Sequence, residues 1–194
     1  MSENKCKSDD SCQTCGDVEK CSQAEKEAHE ATIIAKRMGE IKHKFMVISG
    51  KGGVGKTSVS VNLATTMANQ GYKVGILDAD IHGPNIPKML GVEDQKPLAG
   101  EGHSIMPIAV TDNLYVMSIA FFLNNTEDAI VWRGPMKHSL LKQFLGEVHW
   151  GELDYLIIDL PPGTGDAQLT LTQTIPLDGA VIVSTPQDVA LVDA

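Results

Sequence analysis

From Ser22 to about Ile41, Ala24, Ala28, Ala31, Ile34, Ala35 and Met38 recur at intervals of three and four among charged neighbours. That period predicts an amphipathic helix, and residues 23–43 read as a linker helix. At Lys44 to Ser49 (KFMVIS) the pattern changes to a short apolar run, which ends at a glycine-rich loop and gives way to a second helical period over Val59 to Asn69. Four similar runs follow, at Lys73 to Asp78, Leu114 to Ile119, Tyr155 to Asp159 and Ala180 to Ser184. Runs that are apolar on both faces are the form strands take when helices cover both sides of a parallel sheet. The stripe Met136, Leu140, Leu141, Phe144, Leu145 and Val148 has helical spacing, with Pro135 suited to a first turn, and predicts a core-facing helix. The expected fold class is therefore α/β, a mainly parallel sheet flanked by helices. Gln187 to Ala194 reads as the first turns of a helix after the last strand, and a parallel crossover needs about a dozen residues or more. The chain is thus expected to stop inside a structural unit.

The segment before this alternation differs in kind. Residues 1–22 carry one aliphatic residue, Val18, and cannot build a core. They do hold all four cysteines, as Cys6-x5-Cys12-x2-Cys15-x5-Cys21. Three regions result: a Cys-rich segment over 1–22, the linker helix over 23–43, and one domain over 44–194.

Over 194 residues, 16 Lys+Arg stand against 25 Asp+Glu, a formal charge of −9, and 42% of residues are hydrophobic. That balance disfavours an electrostatic grip on nucleic acid or an anionic membrane, because both need clustered cations. No run approaches the ~20 apolar residues of a membrane span, and Met1 to Asp10 lacks the apolar core of a signal peptide. A cytoplasmic location follows as an expectation, and there closely spaced cysteines serve as ligands or redox groups more often than as disulfides. Cys-x2-Cys puts two thiolates on one turn, and two further cysteines complete a sulfur set suited to a [4Fe–4S] cluster or to zinc. Iron–sulfur, zinc and reactive-thiol readings all remain open on spacing alone.

The sharpest motif is Gly50-Lys51-Gly52-Gly53-Val54-Gly55-Lys56-Thr57, which fits G-x-x-x-x-G-K-[ST] between a predicted strand and a predicted helix. Glycines let successive backbone N–H groups face an anion, Lys56 reaches terminal phosphates, and Thr57 is placed to ligate Mg2+. This predicts a nucleoside triphosphate site. Carboxylates for a magnesium nucleotide stand at the ends of two predicted strands, in Asp78-Ala79-Asp80 and in Asp159-Leu160-Pro161-Pro162-Gly163. Asp159, closing an apolar strand, has the usual form of the acid that holds Mg2+ through water. For Asp78 alone, an ordinary loop acid is as good a reading.

Lys51, a second lysine inside the loop, is unusual. The run KGGVGKT resembles the deviant Walker A ATPases, the P-loop NTPase class that includes MinD, ParA, the nitrogenase iron protein and the Mrp-type iron–sulfur carriers. The resemblance implies that Lys51 acts across a nucleotide-sandwich homodimer, that Asp80 orients the attacking water, and that Asp159 to Gly163 forms a switch sensing the γ-phosphate. Within the class, DADIHGPNIP at 78–87, WRGPM at 132–136 and DLPPGTGD at 159–166 resemble the Mrp group, over roughly Phe45 to Ala194. His82 and Asn85 come along as motif members without assigned roles.

Membership of that group implies slow ATP hydrolysis, with ATP, Mg2+ and a [4Fe–4S] cluster as cofactors and apo iron–sulfur proteins as clients. Cys12, Cys15 and Cys21 are spaced as in the N-terminal cluster segment of the eukaryotic cytosolic scaffold relatives, whose first cysteine lies much further upstream than Cys6. The Cys-x-x-Cys pair that Mrp-type proteins carry downstream of the sheet is expected beyond Ala194. Rival expectations are a MinD/ParA-like positioning ATPase and an ATPase with an N-terminal zinc module.

Overall fold

A computed structural model of the chain describes residues 22–80, 83–100, 104–122, 134–163 and 166–187. Its element order opens with helix α1 (Gln23–Gly39), strand β1 (Ile41–Ile48), helix α2 (Lys56–Asn69), strand β2 (Val74–Asp78) and the short helix α3 (Ile86–Leu90). Strands β3 (Ile108–Thr111) and β4 (Leu114–Ser118) follow, then a 3-10 turn over Ile119–Phe122, helix α4 (Gly134–Glu147), strand β5 (Leu153–Asp159), helix α5 (Asp166–Thr174) and strand β6 (Gly179–Ile182).

Six strands form one sheet in the order β3-β4-β2-β5-β1-β6. Every pairing is parallel except β3 with β4. β2 sits in the middle with all five residues buried, as its uninterrupted apolar sequence requires. Register aligns the strand ends: Asp78 of β2 pairs with Asp159 of β5 on one side and with Ser118 of β4 on the other. The carboxylates singled out in the sequence therefore emerge at one edge of the sheet, the C-terminal edge where open α/β sheets bind ligands.

The expected mainly parallel sheet is present, with differences at particular elements. The helix predicted over 23–43 ends at Gly39, and β1 begins at Ile41 rather than Lys44. Lys42 and His43 look too polar for the strand, yet β1 pairs with β5 from Ile41 and Leu153 onward, and Lys42 is ion-paired to Asp154 at 2.7 Å. α1 begins with a capping box, in which the Ser22 hydroxyl accepts from the Glu25 amide and Glu25 accepts from the Ser22 amide. Its Ile34 and Met38 are buried in the common core, so the helix packs as a layer of the fold. The Lys44 ammonium braces the junction of α1 and β1, donating to the Met38 carbonyl at 3.3 Å and the Ile41 carbonyl at 2.8 Å.

β3 is an edge strand absent from the sequence reading. It is four residues long and joined to β4 by a tight turn in which the Thr111 hydroxyl accepts from the amides of Asn113 and Leu114. α4 carries the predicted stripe, with Leu141, Phe144, Leu145 and Val148 at its end all buried. Residues 188–194, where the sequence suggests another helix, lie outside the described residues.

Candidate functional site

At the C-terminal edge of the sheet, β1 runs into the glycine-rich loop and the loop into α2. Gly55 is the N-cap of α2 at φ +91°, a left-handed conformation that a side chain would strain, and it turns the loop so that α2 starts at Lys56. The loop borders a cavity of about 430 Å3 whose walls include Lys51, Gly53, Lys56, Thr57, Asp80 and Pro162. Gly52 and Gly55 also face it, while Gly50 and Val54 do not; Val54 packs against the core. The Ser49 hydroxyl donates to the Lys51 carbonyl at 2.9 Å, bracing the loop from beneath.

Behind the cavity stands Asp159, fully buried. The hydroxyl of Thr57 donates to its Oδ2 at 2.8 Å, and the hydroxyl of Ser60, one turn further along α2, donates to its Oδ1 at 2.7 Å. The Lys56 ammonium, 6% exposed, lies 2.8 Å from the same carboxylate and 3.7 Å from Asp80. It forms ion pairs but no aligned hydrogen bond. Two carboxylates balance its charge, and an ammonium with three N–H donors can also reach phosphate oxygens in the adjoining loop.

The donor set also fits magnesium. A threonine hydroxyl and a carboxylate 2.8 Å apart are hard oxygen ligands beside a phosphate cradle. Among the described residues no group of three or more His, Cys, Asp or Glu converges to hold a metal.

Asp80 lines the cavity together with Gly83 and Asn85. Asp78 does not; it is fully buried, and burial together with the neighbouring Asp159 charge pushes its carboxyl up to about 7. The loop after Asp159 folds back over the phosphate loop. The Gly163 amide donates to the Ser49 carbonyl at 2.8 Å, and Pro162 stands 3.9 Å from where a Gly52 side chain would begin. Gln168 of α5 in turn donates to the Gly163 carbonyl. The segment expected to act as a switch is thus in direct contact with both the loop and α5.

Lys51, Lys56, Thr57 and Asp80 line one cavity, and Asp159, buried and not part of its wall, meets Lys56 and Thr57. Ser60 and Ser118 carry site contacts that the sequence reading missed. No local motif marks either one, although the spacing of Ser60, three residues after Thr57, places both on one face of α2. Cys6, Cys12, Cys15, Cys21, His82 and Gly165 lie outside the described residues. Among the described residues no helix is long and apolar enough to cross a membrane.

A glycine-rich loop between strand and helix, with a buried lysine and a strand-terminal aspartate meeting beneath it, defines a P-loop NTPase. A family model described as the NUBPL iron-transfer P-loop NTPase, of ParA type, matches residues 40–194. The chain belongs to that family. It is 51% identical over 187 residues to the iron-sulfur cluster carrier protein of Methanocaldococcus jannaschii, covering 95% of this chain and 64% of that protein. It is 54% identical over 154 residues to the protein of the same name from Escherichia coli K12, covering 79% of this chain and 41% of that one. The chain thus spans less than two thirds of these relatives. Among solved structures it resembles a nucleotide-binding protein of Archaeoglobus fulgidus in complex with ADP, with a TM-score of 0.71 and 43% identity over 84% of this chain and 63% of that one. It also resembles the septum site-determining protein MinD of Pyrococcus horikoshii complexed with Mg-ADP, with a TM-score of 0.58 and 25% identity over 79% of this chain and 62% of that one.

Proposed function

We propose that this chain binds and slowly hydrolyses ATP as part of an iron–sulfur cluster carrier that delivers [4Fe–4S] clusters to apo-proteins in the cytoplasm. The observation that carries the reading is the Lys56, Thr57 and Asp159 constellation, in a chain alike over 95% of its length to a named cluster carrier. Lys56 and the loop amides bind the phosphates. Thr57 and Asp159 would hold Mg2+, which when bound would supply charge neutralisation at the phosphate oxygens. Asp80 orients a water whose oxygen bonds to the γ-phosphorus as the bond to the β,γ-bridging oxygen breaks, releasing ADP and phosphate.

Lys51, on the cavity wall, acts on the nucleotide of a second copy in a homodimer, as a lysine counterpart of an arginine finger supplied in trans. The contact between Gly163 and Ser49 and the link through Gln168 supply a route by which phosphate occupancy moves α5. Cys6, Cys12, Cys15 and Cys21 form the cluster site; the cluster is cargo.

Anaerobic reconstitution of the chain, beside a Cys12→Ala, Cys15→Ala variant, tests the cargo half through iron and acid-labile sulfide per chain. Near-stoichiometric iron and sulfide, lost in the variant, support the carrier reading, whereas zinc without sulfide overturns it. The nucleotide half is tested by ADP titration, with and without Mg2+, of the chain and of Lys56→Ala. Equal binding by both would sink the assignment of Lys56.

A further inference from the structure

Asp78 is a costly residue in a place where it does not face the cavity. Its carboxylate is wholly buried at the C-terminal end of the central strand β2, beside the register partner Asp159. Moving a carboxylate out of water next to another carboxylate is unfavourable on both counts, and an apolar residue there would make a more stable strand. What offsets the cost is three donors: the hydroxyl of Ser118 in β4, the amide of Ile86 at the start of α3, and the amide of Asp80 two residues on. Oδ2 accepts from the Ser118 hydroxyl at 3.0 Å and from the Ile86 amide at 3.3 Å, and Oδ1 accepts from the Asp80 amide at 3.3 Å.

Those donors bracket one loop. Asp80 stands at its start and Ile86, whose side chain is itself fully buried, at its end, in the first turn of α3. Among the described residues of that loop, Asp80, Gly83 and Asn85 line the candidate nucleotide cavity. Ser118, fully buried at the end of β4, ties the carboxylate to the neighbouring strand. The Asp80 amide, two residues on, reaches Asp78 locally, whereas the Ile86 amide reaches it only when the start of α3 is docked against the end of β2, so the one carboxylate ties Asp80, α3 and β4 together.

We propose that Asp78 and Ser118 form a latch that presets the position of Asp80 over the nucleotide. Both are positioning residues: neither touches the cavity, and they act through the loop. The inference rests on the reading of Asp80 as the water-orienting group.

Amide hydrogen exchange on the 194-residue chain tests the latch without requiring turnover. Ser118→Ala removes one donor with little change in shape. Asp78→Asn keeps the shape but, with its oxygen facing Ser118 and Ile86, turns an N–H2 group toward the Asp80 amide, so one bond is lost. In each variant exchange over residues 79–90 is expected to accelerate about tenfold, the usual effect of losing a buried hydrogen bond. Strand residues 74–77 and 114–117 keep their protection, and ADP affinity stays within about twofold.

In ATP hydrolysis the same variants are expected to lower kcat by about tenfold with KM little changed, because binding contacts remain while alignment is lost. Unaltered exchange over 79–90 overturns the latch. So does acceleration spread equally over β2 and β4, which would mean general loosening. Asp80→Asn separates the two readings. If Asp80→Asn hydrolyses ATP at the parental rate, the role of Asp80 fails, and the exchange data still judge the latch. If it abolishes hydrolysis while the latch variants exchange like the parent, only the latch fails.

Discussion

Ser60 is the residue on which the geometry of Asp159 most directly depends. Its hydroxyl, fully buried, donates to Oδ1 at 2.7 Å, the one hydrogen bond recorded to that oxygen among the described residues. Ser60→Ala leaves a buried carboxylate oxygen without its donor. Hydrogen bonds to charged groups contribute about 1.5–3 kcal/mol, and the void left by one hydroxyl is small. For a domain of this size each kcal/mol moves Tm by roughly 2–4 °C, so a fall of about 3–12 °C is expected in thermal unfolding followed by circular dichroism.

A double-mutant cycle assigns the loss to this bond. Asp159→Asn weakens the acceptor, so Ser60→Ala should cost about 1 kcal/mol less in that background than alone. The freed carboxylate should also hold Mg2+ in poorer register with Thr57, weakening ADP binding severalfold in the presence of Mg2+ and little in its absence. A Tm within 1 °C of the parent, or additive costs in the cycle, would refute the argument that Ser60 aims Asp159.

Gly75 lies under the Trp150 ring; a methyl group there would stand 2.6 Å from Leu153 Cδ1 and 2.8 Å from two ring carbons of Trp150. Gly75→Ala should therefore cost about 1–3 kcal/mol through overpacking, measurable by urea unfolding, and Trp150→Leu should relieve part of that cost. Asp78 holds its proton more tightly folded, at about 7, than in an unfolded chain near 3.8. Stability of the nucleotide-free protein in chelator should therefore fall as pH rises from 4 to 7, by up to about 4 kcal/mol, and level off above. Asp78→Asn should flatten urea midpoints between pH 5 and 8. Asp154 and Asp178, whose carboxyls are held low chiefly by hydrogen bonds from Lys42 and from the Lys44 amide respectively, pull the other way only at more acidic pH, where that stabilisation is lost as they protonate.

Part of this architecture is legible because it is local. The phosphate loop is eight consecutive residues, and the need for glycine at a left-handed position such as Gly55 ties sequence to backbone directly. The strands of the buried sheet read as apolar runs because both of their faces are covered, and the α4 stripe reads at helical period because one face is. Where a strand is solvated or lies at an edge, the signal fades. The start of β1 at Ile41 and the whole of β3 escape the pattern because ladder hydrogen bonds define them, and backbone bonding leaves no mark on side-chain hydrophobicity.

The chemistry divides in the same way. Residue type and spacing alone predicted a phosphate site built on Lys56 and Thr57, and put carboxylates at the ends of two strands. Which carboxylate does what was decided by register. Pairing Asp78 with Asp159 and Ser118 sends one acid to the Lys56 ammonium and buries the other away from the cavity. The serines that hold them come from 99 and 40 residues away along the chain. A contact across such a separation exists only once the sheet has assembled, since no short-range pattern encodes which strand will lie beside which.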